Sequence, residues 1–489
     1  MISTSKRTSM FPNILFIIDD QHNADCFGFS GKRQVQTPNI DRLVAGGTVF
    51  NHAYTPIAVC MASRVCFLTG TYPHTSGIFA NDNKTMEETP LSLPTFLRDS
   101  CGYQTSLVGK AHLGRWHNVG YDQRITVSDP LGCDQYDEYL KRHGLKKDHA
   151  NKETIEKRFY CFDTEIPFEH CIENWTGNET IKQIDAMSRQ EKPFFLCSSF
   201  SGPHAPNAIP LDSPFRYDPA DVDLPCECTN GFNTKPFGRR AGIENKWNVD
   251  DAGEENLRYA LASYYSSISS IDYNIGKIVS HLEEKSMLEN TLIIITSDHG
   301  DFAGAHGQYA KNCSGGYDPL HRIPFIWYWQ GMLEHHICNS LVESIDLFPT
   351  ICEILGLDIP APIQGDSLCK ALFPEHDNGS NSFPGKDAVF FETAFVKTVR
   401  TTKWKLSYGF NGKNAGELYD LVSDPEERIN LYNQSKYISV QKQLLEKLLN
   451  WYISTDQPKF FNNDFGVTAD FRWYRKKFPH QYNSVQGWE

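Results

Sequence analysis

Short apolar runs that stop at charged or polar clusters alternate along this chain with segments whose apolar positions recur every three or four residues. Residues 13–18 form the first run and end at Asp19-Asp20. An uninterrupted apolar run of this length predicts a strand buried on both faces. Residues 104–108, 194–200, 291–296 and 323–329 read in the same way. Between them, Thr37 and Pro38 open a helix that Gly46-Gly47 closes, the order of signals expected at helix ends. The longest periodic segment is 255–285, where Leu257, Leu261, Tyr264, Ile268, Ile271, Ile275, Ile278 and Leu282 mark one helical face. Residues 347–355 predict a further helix. Strands alternating with helices predict an α/β fold, a large mostly parallel sheet sandwiched by helices.

From 374 to 386 the composition shifts to proline, asparagine, serine, glycine and charge, which predicts a linker. The expected division is a catalytic domain over 1–375 and a smaller α+β subdomain over 386–489. Runs at 388–391, 396–400 and 404–407 predict a small antiparallel sheet there, and 440–452 a helix packed on it. Beyond 457 the tail carries Phe460, Phe461, Phe465, Phe471, Trp473, Tyr474 and Trp488. So many aromatics predict packing onto the catalytic domain or onto a second copy of the chain, so a homo-oligomer is one expectation.

With 489 residues and 40% apolar content the chain can bury a large core. Its net charge of -13 argues against nucleic acid as a partner. An anionic substrate must therefore meet a local cluster of cations. The 14 cysteines are scattered and read as mostly reduced and buried, although Cys226 and Cys228 stand two apart. No run is long enough for a signal-peptide core or a membrane span, so a cytoplasmic protein with no membrane partner is expected.

The polar clusters at the ends of the runs carry the chemistry. Asp19-Asp20 and Asp298-His299 each follow a strand, which is where open α/β sheets place ligands. Three carboxylates brought together there call for a hard divalent cation. Gly109-Lys110-Ala111-His112-Leu113-Gly114 places a lysine and a histidine two apart, on one face if the backbone is extended. Pro203-His204-Ala205-Pro206 sets a histidine between prolines. Lys311 follows Asp298-His299-Gly300-Asp301 and Gly304-Ala305-His306-Gly307 on an irregular loop. Cys60-Met61-Ala62-Ser63-Arg64, followed by Leu68-Thr69-Gly70, spaces a cysteine and an arginine four apart.

In this order the stretches resemble the type I, formylglycine-dependent sulfatases of the alkaline phosphatase superfamily. Thr37-Pro38-Asn39-Ile40-Asp41, Leu418-Tyr419-Asp420-Leu421 and Asp424-Pro425-Glu426 extend the resemblance over residues 13 to about 431. It implies an alkaline-phosphatase-like fold, and a Cys60 oxidised after synthesis to formylglycine. It also implies a calcium ion, ahead of magnesium or manganese, held by Asp19, Asp20, Asp298, His299 and the converted Cys60. Many relatives have asparagine where this chain has His299. Arg64 would steady the hydrated aldehyde and its carboxylates, and Lys110, His204 and Lys311 would bind the sulfate group. The aldehyde hydrate would attack sulfur with Asp298 as base, and His204 and Lys311 would protonate the leaving oxygen. His112 would then take the proton whose loss expels sulfate.

The expected activity is sulfuric ester hydrolysis on a sulfated carbohydrate or another small sulfate monoester. Residues 116–147, 207–248 and the tail would read the leaving alcohol. The family's signature commonly has proline at the position of Ala62, and by resemblance alanine points to an anaerobic radical maturase as partner and to a bacterial setting. Two other readings stand beside this one. Phosphonate monoester and phosphodiester hydrolases share the superfamily and the aldehyde, and an unconverted Cys60 would leave a non-catalytic binder of sulfated glycans.

Overall fold

The computed structural model describes residues 11–456 apart from 82–90, 115, 117–118, 128–133, 148–155, 226–234, 239–248, 312–314, 375–382 and 411–413. The aromatic tail beyond 457, Cys226 and Cys228, and parts of the expected linker and specificity segments lie outside the described residues.

Nine strands form the main sheet. Its central strand is β1 (Asn13–Asp20), in which all eight residues are buried. Ile14, Phe16 and Ile18 point into one apolar layer, and Leu15 and Ile17 into the other, the period-2 alternation of a pleated strand covered on both faces. The other strands are β2 (Thr48–Tyr54), β3 (Gln104–Lys110), β4 (Gln123–Val127), β6 (Phe194–Pro203), β8 (Thr291–Ser297), β9 (Arg322–Ile323), β10 (Phe325–Tyr328) and β11 (His336–Glu343). Their order is β11-β2-β10-β8-β1-β6-β3-β4, with β9 paired to β2. Strands β8, β1, β6, β3 and β4 run parallel. β10 is antiparallel to both of its neighbours. A pair of short strands, β5 (Cys161–Thr164) and β7 (Asn207–Pro210), lies off the main sheet.

The predicted long helix spans Glu254–Glu284, and its Ile271, Ile275, Ile278 and Leu282 bury against one face of the sheet with Ile184 and Met187 of the helix Ile172–Met187. The predicted strand at 323–329 is two short strands separated at Pro324, because proline has no amide hydrogen for the ladder.

The C-terminal sheet has the order β12 (Val389–Glu392), β13 (Val396–Arg400), β14 (Trp404–Phe410) and β15 (Asn414–Asp420), antiparallel throughout. The helix Ile438–Thr455 packs on it. Val399, Leu406, Leu418, Leu444, Leu448 and Trp451 share one apolar cluster with Ala62 and Cys66 of the helix Cys60–Thr69. The small sheet therefore forms part of the wall behind Cys60.

Gly109 shows how closely the central strands approach. Its φ is +95°, and a Cβ there would lie 1.9 Å from the carbonyl oxygen of Ser199 on β6. Gly109→Ala is expected to cost at least about 1–3 kcal/mol in backbone strain, with strand separation added to it. A fall in the urea midpoint together with weaker turnover would check this, because Lys110 is the next residue.

His321 sits at the junction of the two sheets, 2% exposed, with Nδ1 2.9 Å from the carbonyl oxygen of Thr55 and its ring stacked 4.4 Å from Phe391. Burial drives its pKa down to about 3. The unfolded chain therefore binds the proton more readily than the folded one, and stability present above roughly pH 6.5 falls as the pH drops. Between roughly pH 6.5 and 5 the loss amounts to about 2 kcal/mol. His321→Gln should flatten that part of a stability profile measured by urea unfolding at stepped pH.

Candidate active site

Four adjacent strands, β8, β1, β6 and β3, deliver polar residues to the same edge of the sheet. β1 ends in Asp19 and Asp20, β8 leads into Asp298 and His299, β6 leads into His204, and β3 ends in Lys110. Cys60 enters from the helix Cys60–Thr69, whose ten residues are all buried. Cys60 occupies its first turn, where the helix dipole and free amides favour negative charge. Gly70 ends this helix with φ +62° and donates its N–H to the carbonyl oxygen of Cys66, a left-handed cap that suits glycine.

One ligand atom from each of Asp20, Cys60, Asp298 and His299 lies within 4.8 Å of all the others. Cys60 Sγ is 3.3 Å from His299 Nε2, 3.7 Å from Asp20 Oδ1 and 2.7 Å from Lys311 Nζ. Lys311 Nζ is also 2.7 Å from His299 Nε2. Arg64 organises the cluster from behind. Its Nε donates to Asp298 Oδ2 at 2.9 Å and one terminal nitrogen to Asp20 Oδ2 at 3.2 Å. Its other terminal nitrogen donates to Ser199 Oγ at 2.7 Å and to the Lys110 carbonyl at 3.1 Å. Lys110 Nζ adds an ion pair to Asp20 Oδ2 at 2.6 Å. The outer oxygens of both aspartates are thus held by cations, while Oδ1 of each faces the cluster. Asp298 Oδ1 is fixed further by the backbone amides of Gln21 and His299.

These contacts set the charges. Burial raises the Asp20 carboxyl, but Lys110, His204, Lys311 and Arg64 outweigh it and hold it well below the usual range. Burial, with the charge of Asp20 beside it, pushes Asp298 up. Burial and Asp20 both oppose a thiolate at Cys60, yet Lys311, Lys110 and His299 hold its pKa well below that of an ordinary thiol. Asp20 and Asp298 therefore differ in basicity, and Asp298 is the better proton acceptor.

The other sequence candidates fall at different distances from this centre. Asp19 stands outside the mutual set: its Oδ2 is 2.6 Å from His22 Nδ1, and its buried Oδ1 has no hydrogen-bond partner. His204 Nε2 is 3.9 Å from Asp20 Oδ1, with its side chain 30% exposed at the mouth of the site. Its Nδ1 donates to the Ala205 carbonyl. The expectation that Lys110 and His112 share the face of an extended strand is corrected. β3 ends at Lys110, and His112 has φ +45°, so the chain has already turned. His112 is half-buried, and its Nδ1 has no hydrogen-bond partner.

His74 binds Glu392 and Thr455 Oγ1, and His321 binds Thr55, so both serve packing between the sheets. Sequence reading missed Ser199 and Ser63, which anchor Arg64 and the Asp298 carbonyl, and Gln21, which reaches Asp301 Oδ2. Only the position of Ser199 near the end of a buried strand marks it in the sequence.

The family model described as "Sulfatase" matches residues 12–357, and that described as "N-sulphoglucosamine sulphohydrolase, C-terminal" matches residues 304–453. An arylsulfatase of Clostridium perfringens is 30% identical over 461 residues, covering 88% of this chain and 92% of the relative. An N-acetylglucosamine-6-O-sulfatase of Bacteroides thetaiotaomicron is 24% identical, covering 94% and 88%. Among solved structures, a phosphonate monoester hydrolase of Agrobacterium radiobacter aligns with a TM-score of 0.75 at 22% identity, covering 91% of this chain and 96% of that one. A structure in complex with its substrate D-glucosamine-2-N,6-O-disulfate aligns with a TM-score of 0.70 at 22% identity, covering 92% and 100%. These structural likenesses show the alkaline-phosphatase-like fold. With a family model matched over most of its length and a sulfatase relative aligned almost end to end, the chain belongs to the sulfatase family and is a sulfuric ester hydrolase.

Proposed function

We propose that the protein removes sulfate from a sulfated carbohydrate, using a formylglycine made from Cys60 and one divalent cation, calcium in preference to magnesium or manganese. The observation that carries this reading is the convergence of Cys60, Asp20, Asp298 and His299 in one buried set ringed by Arg64, Lys110 and Lys311. The donor set fits a divalent cation. Two carboxylate oxygens face inward with their partners held from behind, and Asp19 Oδ1 is buried with no hydrogen-bond partner. Asp19, Asp20, Asp298 and His299 would hold the ion, which would supply positive charge to the sulfate oxygens and the nucleophile. The converted side chain would supply the attacking oxygen.

The chain's own residues do the rest. Lys110 and Lys311 neutralise a sulfate group and hold its sulfur against position 60. Asp298, whose basicity burial has raised, accepts the proton of the nucleophile. His204 stands at the open side, where its imidazole can protonate the departing alcohol together with Lys311. His112 is assigned the proton transfer that frees sulfate. The preference for a carbohydrate draws on the sulfated-sugar relatives, and maturation by an anaerobic radical enzyme draws on Ala62. We take residues 386–489 as a subdomain, and its sheet and the helix Ile438–Thr455 brace the helix of Cys60.

A panel of sulfated mono- and disaccharides, assayed beside an aryl sulfate and an aryl phosphodiester, tests the reading. Sulfate release from at least one sugar is expected, and faster turnover of the phosphodiester than of every sulfate ester overturns it. His204→Ala is expected to lower kcat about 10²–10⁴-fold for sugar sulfates. It should spare an aryl sulfate whose leaving group departs without protonation, and equal loss on both substrates would exclude the acid role.

A further inference from the structure

We infer that the protein carrying an unconverted Cys60 is a zinc-binding protein, with Cys60 Sγ, His299 Nε2, Asp20 and Asp298 as ligands. We further infer that conversion of Cys60 shifts the same pocket to a hard, oxygen-seeking cation. The inference rests on the proposed function only in that conversion removes the sulfur.

The donor atoms already stand close to the spacing zinc requires. Tetrahedral zinc with bonds of about 2.0–2.3 Å needs donor atoms separated by roughly 3.3–3.8 Å. The observed separations are 3.3 Å for Sγ to Nε2, 3.7 Å for Sγ to Asp20 Oδ1 and 3.6 Å for Nε2 to Asp298 Oδ1. Nε2 to Asp20 Oδ1 is 4.0 Å, and all four donor atoms lie within 4.8 Å of one another, so the set must draw in to close on zinc.

The surrounding contacts prepare each ligand. His299 Nδ1 lies 2.9 Å from the Gly300 carbonyl oxygen. A carbonyl only accepts, so Nδ1 carries a hydrogen and Nε2 is the nitrogen that faces the cluster, open to a metal once any proton on it is displaced. Arg64 and Lys110 hold the Oδ2 atoms, so Oδ1 of Asp20 points inward, as does Oδ1 of Asp298 while it accepts the amides of Gln21 and His299. The four residues sit on the ends of two strands and the start of a helix, so little order is lost on binding. Thiolate and imidazole are donors that select zinc and its neighbours, whereas calcium and magnesium take oxygen.

Lys311 is the resident competitor, since its ammonium lies 2.7 Å from both Sγ and Nε2. Its side chain is only partly buried and can swing outward when a dication arrives.

The test uses the full chain made in a host without a maturase, with the thiol at position 60 verified by mass spectrometry. Titration with cobalt(II) is expected to give a thiolate-to-metal charge-transfer band in the near ultraviolet, which zinc then bleaches. The band should vanish in Cys60→Ser and persist when Cys226 and Cys228 are both replaced by serine. A native-chain measurement needs no variant: zinc at about 100 times its dissociation constant should raise the folded-to-unfolded ratio about 100-fold, read as a higher urea midpoint. A missing band, a band that survives Cys60→Ser, or a urea midpoint indifferent to zinc overturns the inference. None of these outcomes depends on sulfate release by the converted protein, so a failure here is separable from a failure of the proposed activity.

Discussion

Cys60→Ala is expected to lower kcat/KM on an aryl sulfate by about four to six orders of magnitude, the scale seen when a covalent nucleophile is deleted. The side chain is fully buried at the centre of the cluster, with Sγ 2.7 Å from Lys311 Nζ and 3.3 Å from His299 Nε2. It belongs to none of the apolar clusters among the described residues, so alanine should leave the fold intact and thermal unfolding near that of the parent. Purified variant and parent, compared by turnover and by circular dichroism, separate loss of chemistry from loss of structure. Turnover above about 1% of the parent would remove Cys60 from the reaction, since acid–base help alone accounts for only about 10²–10⁴-fold.

Arg64→Ala should be the most destabilising change in the site. The guanidinium is buried and joins Asp20, Asp298, Ser199 and the Lys110 carbonyl. Its removal leaves two carboxylates facing each other with less compensation, at an expected cost of about 3–5 kcal/mol. Urea unfolding reads this directly. Lysine is no substitute, because one ammonium cannot replace a planar fork that reaches both strand ends and the serine beside them. Arg64→Lys should therefore recover less than half of the lost stability, and full recovery would show that charge alone matters.

Much of this arrangement is legible in the sequence because strand ends advertise themselves. Apolar runs stop at Asp19-Asp20, at Lys110 and at Asp298-His299, and the structure brings these stops to one sheet edge. The long helix is equally plain, since its buried stripe keeps a helical period over 31 residues.

Other parts leave no local trace. The helix Cys60–Thr69 is buried on every side, and a helix without a polar face has no amphipathic period. The helix Ile172–Met187 buries Asn174, Thr176, Thr180 and Gln183, which blurs its pattern. The reversal of β10 is a property of the whole sheet. The turn at His112 escaped because a left-handed conformation at a residue other than glycine has no marker in composition. The grip of Arg64 on Ser199 joins residues 135 apart in the chain and becomes visible only when β6 lies beside β1.

The packing of Ala62 and Cys66 against Leu406, Leu418, Leu448 and Trp451 puts the helix of Cys60 under a timetable. The residues that seal its back are translated hundreds of residues after Cys60. At about 5–20 residues per second, they follow Cys60 out of the ribosome by on the order of half a minute. During that interval the helix lacks its far wall and the thiol belongs to an open chain. Once β14, β15 and the last helix close, the same thiol is fully enclosed. The enzyme proposed to oxidise Cys60 thus races synthesis of these later segments, and slowing or truncating the chain ahead of β12 should raise the converted fraction.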